Sequence, residues 1–256
     1  MRTLNLFAQK LAARAGFFRL ECDLSPTAAK HAARRIHAAF LQSVLTRYAV
    51  DCVIDVGANQ GQFAAALRSG GYHGVIVSFE PVREPFEALR RNAQHDPRWH
   101  VRPETLGARE ESRTLHVMRR SEFSSLLPPA PDQPAVSAGK NLVVRTETVL
   151  VRRLDALSSE IPALAQSRRM LLKLDTQGSD LDVFAGAAGL LERVVALQSE
   201  LSMIPLYHDM PHFTQVLARF EEAGFSVCSL APVVRDPATL AVIECDCLLL
   251  RRGVSP

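Results

Sequence analysis

The sequence lacks a long uninterrupted apolar run and carries little excess charge of either sign. No stretch approaches the roughly 18 to 20 consecutive apolar residues of a membrane-spanning helix. The 30 Lys and Arg residues nearly balance the 27 Asp and Glu residues, so the concentrated basic field typical of nucleic-acid binding is absent. Apolar residues make up 47% and charged residues 22%, which excludes disordered, collagen-like and coiled-coil classes. We therefore expect a folded soluble protein with neither a membrane span nor a nucleic-acid partner.

Cysteine is scarce and scattered. The five cysteines are Cys22, Cys52, Cys228, Cys245 and Cys247. A small secreted domain would show a dense and even-numbered disulfide framework, so we predict buried structural thiols and a reducing compartment. The pair at 245 and 247 fits a strand, but a zinc site would need further ligands. Because Lys10 and Arg14 lie where a signal peptide would be apolar, the sequence favours a cytoplasmic protein.

Two helices are predicted before the main body of the chain. Residues 4–20 place apolar side chains near helical spacing with basic residues between them, which indicates an amphipathic helix. We favour packing of this helix on its own domain, with weak contact to a membrane surface as the open alternative. Ser25 as N-cap and Pro26 at the first helical position begin a second helix that runs to about Tyr48. Residues 1–48 are therefore predicted to be a helical extension.

From residue 50 onward, short apolar runs alternate with amphipathic segments, the pattern of a parallel sheet with crossover helices. A continuous apolar run indicates a strand covered on both faces. Extra strands are expected within 113–151, and residues 119–141 form a long loop, which in a compact domain is more often functional than idle. The domain over 49–256 is therefore predicted to be α/β with helices on both faces. Its main apolar runs are VDCVIDV (50–56), GVIVSFE (74–80), RMLLKLD (169–175), RVVALQSE (193–200), FSVCSL (225–230) and AVIECDCLLLRR (241–252).

Four of these runs end in an acid or lead directly into one: Asp55, Glu80, Asp175 and Glu200. In an open parallel sheet these ends share the carboxyl edge, where ligands bind. Acids gathered at one edge repel one another unless a cation or hydrogen-bond donors offset them. The sequence therefore predicts a ligand that brings positive charge, hydroxyl groups or a metal ion.

The first run leads into a glycine turn with the spacing D-x-G-x-x-x-G, formed by Asp55, Gly57 and Gly61. Glycine lets the backbone turn tightly and approach a ligand, and the N–H groups of the following helix point toward it. The middle glycine of a nicotinamide fingerprint is absent, and Asn59 is a residue that tolerates a left-handed backbone. Glu80 ends the next strand, where an acid accepts hydrogen bonds from ribose hydroxyls. Together these features favour a nucleoside-binding site.

Several sequence motifs resemble the FkbM-type methyltransferases, a branch of the S-adenosylmethionine-dependent class. Their order and spacing fit over most of residues 50–251. The matching motifs are VIDVGANQGQF (53–63), GYHGVIVSFEPV (71–82), SSLL (124–127), RLDAL (153–157), LLKLDTQGSDLDVFAGA (171–187), LQSELSMIPLY (197–207) and ECDCLLLR (244–251).

The resemblance implies a Rossmann-like, seven-stranded, mostly parallel sheet whose last strand is antiparallel. It also implies methyl transfer from S-adenosylmethionine to a hydroxyl of a sugar, glycan or other secondary metabolite. In this scheme the turn from Gly57 to Gly61, with Asn59, holds the methionine part of the cofactor. Glu80 with Pro81 holds the ribose, and residues around 105–107, namely Leu106 and Gly107, hold the adenine.

A hydroxyl group is a poor nucleophile at neutral pH, so a general base is expected within hydrogen-bond reach of it. Our candidates are Asp175 first and His208 second, with Glu200 orienting the acceptor or assisting the base. Lys173 lies two residues before Asp175 on the same face of the strand, where pairing would lower the pKa of that acid. A divalent cation held by Asp175, Glu200 and His208 is the less favoured alternative, and no metal is assigned.

Two rival functions stay open. One is a nicotinamide-dependent oxidoreductase on a similar sheet, which the missing middle glycine disfavours. The other is a catalytically silent binding protein that has kept the fold. Titration with S-adenosylmethionine and with a nicotinamide cofactor tests the oxidoreductase alternative. Cofactor binding without any methyl transfer would favour the silent binding protein.

Overall fold

A computed structural model describes residues 26–131, 139 and 141–256, and the predicted helix over 4–20 lies outside them. The first described element is helix α1 (Pro26–Arg47), close to the range expected from the sequence. Its buried side chains Leu41, Val44 and Leu45 pack into the core of the following sheet. The division into an extension over 1–48 and a domain over 49–256 stays a prediction.

The main sheet has seven strands in the order β3-β2-β1-β7-β8-β10-β9. Every neighbouring pair from β3 to β8 is parallel, and β10 runs antiparallel to both of its neighbours. The predicted mostly parallel sheet with an antiparallel last strand is therefore confirmed. Its strands are β1 (Cys52–Val56), β2 (Val75–Phe79), β3 (Trp99–Arg102), β7 (Met170–Leu174), β8 (Val194–Ser202), β9 (Phe225–Arg235) and β10 (Val242–Arg251).

Three further strands form a small separate sheet in the order β4-β6-β5. They are β4 (Thr105–Leu106), β5 (Glu111–Met118) and β6 (Val143–Arg152). The last two correspond to the extra strands expected within 113–151. The segment that joins them contains a 3₁₀ turn over Ser121–Phe123, while residues 132–138 and 140 lie outside the described range.

Helices cover both faces of the main sheet, as predicted. Successive residues of β1 alternate between two apolar cores, with Val53 in one and Ile54 in the other. This alternation follows from the two-residue period of a strand. The helices after α1 are α2 (Gln62–Ser69), α3 (Arg83–Ala93), α4 (Leu154–Leu157), α5 (Pro162–Gln166), α6 (Asp180–Gly186) and α7 (Phe213–Glu222), with a 3₁₀ helix over Ala188–Arg193.

The cysteines within the described residues are free thiols. Cys52, Cys245 and Cys247 are buried and Cys228 is half-buried, in keeping with the predicted structural role. Burial raises the pKa of the Cys52 thiol to about 12 and so keeps it protonated. Cys22 lies outside the described range. Among the described helices, none combines the length and apolarity needed to cross a membrane.

Candidate active site

A row of polar side chains crosses the main sheet just below its carboxyl edge. Strand register places Ser78, Asp55, Lys173 and Gln198 side by side on β2, β1, β7 and β8. All four are buried. Polar groups in such a place need hydrogen-bond or charge partners, so their contacts determine what the row can do.

Asp55 is the centre of this row. Its carboxylate accepts a hydrogen bond from Ser78 Oγ at 3.1 Å and lies 3.0 Å from Lys173 Nζ. Burial alone would lower the pKa of Lys173, but the charges of Asp55 and Asp175 outweigh burial and raise it. Lys173 is therefore a cation held beneath the carboxyl edge, and Asp55 lines neither of the cavities described below.

The glycine turn after β1 has the backbone conformation that its residues suggested. Gly57, Asn59 and Gly61 all have positive φ, at 75°, 47° and 89°. A Cβ on Gly57 would lie 1.9 Å from the backbone oxygen of Asp175, so only glycine fits between these two strand ends. Lys173 Nζ donates a hydrogen bond to the Gly57 carbonyl oxygen at 2.9 Å, which stabilises the turn.

Glu80 lies at the end of β2 and faces the same turn. Its carboxylate oxygens accept one hydrogen bond each from the backbone N–H groups of Asn59 and Val82, both at 2.8 Å. Burial raises the pKa of Glu80 to about 7, against the opposing effect of these two donors. Each carboxylate oxygen keeps a second acceptor position, which a ligand hydroxyl could use.

A cavity of about 660 Å³ opens beside Glu80. Apolar side chains form much of its wall, as is usual for small-molecule sites. The long loop predicted to be functional contributes Ser121, Glu122, Ser124 and Ser125 to the lining. The predicted cofactor residues that line it are Gly57, Asn59, Glu80, Pro81 and Leu106.

Asp55, Gly61 and Gly107, the other three predicted cofactor residues, lie outside this lining. Gly61 is the N-cap of α2, and a Cβ there would approach Trp99 and Leu89. Gly107 follows β4, where a Cβ would lie 2.6 Å from Val151. Both glycines allow close packing of neighbouring elements in this structure.

At the rim of the 660 Å³ cavity, the side-chain amide of Gln177 donates hydrogen bonds to two carboxylates. Gln177 Nε2 donates to Asp175 Oδ1 at 3.1 Å and to Glu200 Oε2 at 3.2 Å. The Tyr207 hydroxyl lies 2.8 Å from Gln177 Oε1 and orients this amide. Burial, with the nearby charge of Asp175, raises the pKa of Glu200 well above its ordinary value. Gln177 has a φ of 53° and was not singled out from the sequence, although it lies two residues after the acid in the DTQGS motif.

A second cavity, of about 770 Å³, lies on the other side of Asp175. Glu200 from β8 and Asp246 from β10 are cross-strand neighbours in its wall, and α1 contributes Arg34. Nine of the fourteen residues that line it are polar or charged. Four residues line both cavities: Gly57, Asn59, Glu122 and Asp175.

His208 is not brought to either cavity. Its side chain is 63% exposed and pairs with Asp209, with 2.9 Å between His208 Nδ1 and the Asp209 carboxylate. The structure therefore separates His208 from Asp175 and Glu200, the two acids with which it was grouped. Within the described part of the chain, no group of three or more His, Cys, Asp or Glu residues is arranged to hold a metal ion.

Asp180 closes the turn that carries Gln177. One carboxylate oxygen accepts hydrogen bonds from the backbone N–H and the hydroxyl of Thr176, at 2.9 and 2.6 Å. The other accepts from Ser199 Oγ at 2.7 Å. Burial raises the pKa of Asp180, partly offset by these donors. Asp180 thereby supports the position of the rim residues without lining either of the two cavities.

Both cavities lie at the carboxyl edge of the parallel sheet, which is where ligands usually bind in open α/β folds. The sequence profile of the methyltransferase FkbM domain matches residues 55–227, and the chain belongs to this family. It is therefore a methyltransferase, as the resemblance implied. No curated protein sequence matches the chain significantly.

Several solved structures have a similar arrangement of elements at very low sequence identity. A magnesium protoporphyrin IX methyltransferase from Synechocystis PCC 6803, solved with bound S-adenosylmethionine, is 8% identical, with a TM-score of 0.44 and coverage of 87% of this chain and 82% of that one. An rRNA methylase from Streptococcus thermophilus is 10% identical, with a TM-score of 0.44 and coverage of 84% and 94%. A ribosomal protein L11 methylase from Lactobacillus delbrueckii is 10% identical, with a TM-score of 0.41 and coverage of 84% and 77%.

Proposed function

We propose that this methyltransferase uses S-adenosylmethionine to methylate a hydroxyl group of a small molecule or glycan. The observation that carries the proposal is the pair of cavities that meet at Asp175. A transfer reaction needs two reactants held side by side, and a shared wall is where their reacting atoms would meet.

The 660 Å³ cavity suits the nucleoside half of the cofactor. Glu80 offers free acceptor positions to ribose hydroxyls, while its other hydrogen bonds hold the carboxylate in place. Leu106 and Leu115 supply apolar surface for a flat base. When bound, S-adenosylmethionine supplies a methyl group on a positively charged sulfur that is displaced in line. Asp175 and Glu122 lie at the shared wall, where negative charge favours a cation.

The acceptor hydroxyl would enter through the 770 Å³ cavity. Asp175 lines both cavities and is our first candidate to accept a hydrogen bond from that hydroxyl and orient it. The carboxylate that accepts the hydroxyl's one hydrogen bond is also placed to take its proton, so Asp175 would act as the base as the new C–O bond forms and the methyl–sulfur bond breaks. Glu200 is joined to Asp175 through Gln177 and helps to hold that acid in place. His208 has no place in this scheme, because its side chain faces solvent.

Calorimetric titration tests the cofactor assignment. We expect S-adenosylmethionine to bind and a nicotinamide dinucleotide to give no heat. The opposite result would favour the oxidoreductase alternative. Incubation of cell-extract glycans and metabolites with an isotopically labelled methyl donor should then yield a labelled methyl ether by mass spectrometry. Cofactor binding without any labelled product would favour a silent binding protein.

A further inference from the structure

Gln177 lines the 660 Å³ cavity, but both of its side-chain N–H groups are used inside the protein. They donate to Asp175 Oδ1 at 3.1 Å and to Glu200 Oε2 at 3.2 Å. An amide nitrogen has two hydrogens to donate, so none is left for a bound ligand. The side chain is therefore suited to holding the two acids rather than the cofactor.

The backbone of Gln177 has a conformation that side chains rarely tolerate. Its φ is 53°, in the left-handed region that glycine adopts without strain. A glycine at position 177 would remove this strain, but it would also remove the amide that reaches Asp175 and Glu200. Strained residues of this kind are often found at functional sites, where the surrounding structure holds them.

Two contacts hold Gln177 in place, and both lead to residues 121–126, most of which line the 660 Å³ cavity. Ser125 Oγ donates to the backbone carbonyl oxygen of Gln177 at 2.7 Å. The hydroxyl of Tyr207 lies 2.8 Å from Gln177 Oε1 and 2.8 Å from the carbonyl oxygen of Phe123. Tyr207 is buried, which restricts its movement. The amide is therefore tied to the wall of that cavity.

Asp175 and Glu200 are like charges, so their proximity is unfavourable unless donors offset it. Burial and the charge of Asp175 raise the pKa of Glu200 well above its ordinary value. Gln177 gives each acid one donor, and the second oxygen of Asp175 lies 3.4 Å from Lys173 Nζ. The Asp175 carboxylate is thus held at both of its oxygens. Other charged groups near the two acids are Arg34, Glu122, Asp180, Glu244 and Asp246.

We propose that Gln177 is a positioning residue that places the Asp175 carboxylate for methyl transfer, and that Tyr207 assists by orienting the Gln177 amide. The inference rests on the proposed function, in which Asp175 takes the proton of the acceptor hydroxyl. Neither residue handles that proton, because Gln177 acts through Asp175 and Tyr207 acts through Gln177.

The first test measures the initial rate of labelled methyl transfer from S-adenosylmethionine, at saturating concentration, to one preparation of cell-extract glycans and metabolites. We expect Gln177→Met to lower this rate by about 10- to 100-fold, because Asp175 loses a donor and its fixed orientation. Gln177→Glu keeps the shape of the side chain without its N–H donors and should show a similar loss. In Gln177→Met the affinity for S-adenosylmethionine, measured by calorimetry, should change much less than the rate.

A double-mutant cycle tests whether Tyr207 acts through the amide. Tyr207→Phe should lower the rate in the parent protein but have little further effect in Gln177→Met, where the amide is already gone. Tyr72→Phe is the matched control and should leave the rate unchanged. Tyr72 is also buried, donates to the carbonyl oxygen of Val75 at 3.3 Å and lines neither the 660 Å³ nor the 770 Å³ cavity.

Two pH measurements separate positioning from a merely structural role. The side-chain amide signal of Gln177 in a proton–nitrogen NMR spectrum, identified by its loss in Gln177→Met, should shift as the two acids are protonated. This measurement needs no acceptor. The acidic limb of the pH–rate profile should move to higher pH in Gln177→Met, because the charged acids lose their donor. Exposed Gln94 is the control: its amide signal should not follow the acids, and Gln94→Met should have the parent's profile.

The proposal is overturned if Gln177→Met and Gln177→Glu transfer label at the parent rate, or if the losses in the double-mutant cycle are additive. It is also overturned if the Gln177 amide signal does not respond to pH, or if the pH–rate profile of Gln177→Met is that of the parent. Should Gln177→Met fail to fold, Gln177→Glu and Tyr207→Phe decide by the same criteria of rate and pH profile. A parent protein that transfers no label would refute the proposed function, and this inference with it.

Discussion

At the scale of single residues, the acids at the ends of β1, β2 and β7 differ in role because they lie at different depths below the carboxyl edge. Asp55 lies one residue before the end of β1, where it is buried and paired with Lys173. Glu80 lies one residue after the end of β2 and reaches the 660 Å³ cavity. Asp175 also lies one residue past its strand and borders both cavities. A shift of one or two residues in register thus decides whether a carboxylate supports the site or lines it.

The raised pKa of Glu80 predicts a pH-dependent cofactor affinity. Its pKa is about 7, so the carboxylate becomes protonated as the pH falls below that value. Ribose hydroxyls that donate to Glu80 favour the charged form, so binding lowers the pKa and affinity should fall as the pH drops from 8 to 6. Glu80→Ala should weaken binding at pH 8 by about 1–3 kcal/mol and remove this pH dependence.

Calorimetric titration of S-adenosylmethionine across that pH range provides the measurement. The control is Glu87→Ala, which removes a carboxylate from the exposed face of α3 and should leave both the affinity and its pH dependence unchanged. An affinity that is independent of pH in the parent protein would show that Glu80 does not contact a donating ligand.

Replacement of Asp175 is expected to lower kcat more than it lowers the affinity for the cofactor. Asp175→Asn keeps the size of the side chain but removes its charge at the shared wall of the two cavities. We expect kcat to fall by about 10²- to 10⁴-fold if the carboxylate orients the hydroxyl or receives its proton. The loss of cofactor affinity should be smaller than in Glu80→Ala. Steady-state kinetics and calorimetry on both variants measure this contrast, and equal behaviour of the two would show that their roles are misassigned.

At the scale of elements, the sequence predicts the buried strands best. The apolar runs that contain Asp55 or lead into Glu80 and Asp175 correspond to β1, β2 and β7, because a strand covered on both faces is mostly apolar. Strand β3 was not predicted as a separate run. It is four residues long, lies at the edge of the sheet and reads WHVR, so little of the apolar signal of a central strand is present. The expectation of seven strands came instead from the family resemblance.

The turn after β1 provides a test of how an element shapes the site. Gly57→Ala would place a Cβ 1.9 Å from the Asp175 oxygen and force β1 and β7 apart at the point where the two cavities meet. Gly71→Ala is a matched control, since Gly71 also has a positive φ but a Cβ there would meet nothing within 4 Å. In Gly71→Ala, backbone strain alone should lower the free energy of unfolding, by about 1–2 kcal/mol.

We expect Gly57→Ala to lose more stability than Gly71→Ala in urea unfolding and to lose measurable cofactor binding as well. Gly71→Ala should bind the cofactor as the parent protein does, because residue 71 lines neither cavity. Similar cofactor affinities in the two variants would mean that the close approach of Gly57 to Asp175 is unimportant for the site.

At the scale of the whole molecule, the sequence predicts which edge of the sheet carries the site. It does not predict which residues from distant parts of the chain line the two cavities. The family motifs contain Gly57, Glu80 and Asp175, all of which line a cavity. The contribution of Arg34 and Asp246 depends on where α1 and β10 pack, and neither position follows from local spacing. The exposure of His208 depends on the loop before α7, and the motif LQSELSMIPLY that precedes it does not indicate where the His208 side chain points.

Helix α1 packs on the sheet that carries the site, and this leads to a final prediction. Leu45 is 3% exposed and belongs to the core cluster that includes β1 residue Val53, whereas Ile36 on the same helix is 71% exposed. Leu45→Ala should therefore cost about 2–5 kcal/mol of unfolding free energy, and Ile36→Ala should change it by less than about 0.5 kcal/mol. Urea unfolding followed by circular dichroism measures both values. If Leu45→Ala were as mild as Ile36→Ala, α1 would be loosely attached to the sheet, and its contribution of Arg34 to the 770 Å³ cavity would be in doubt.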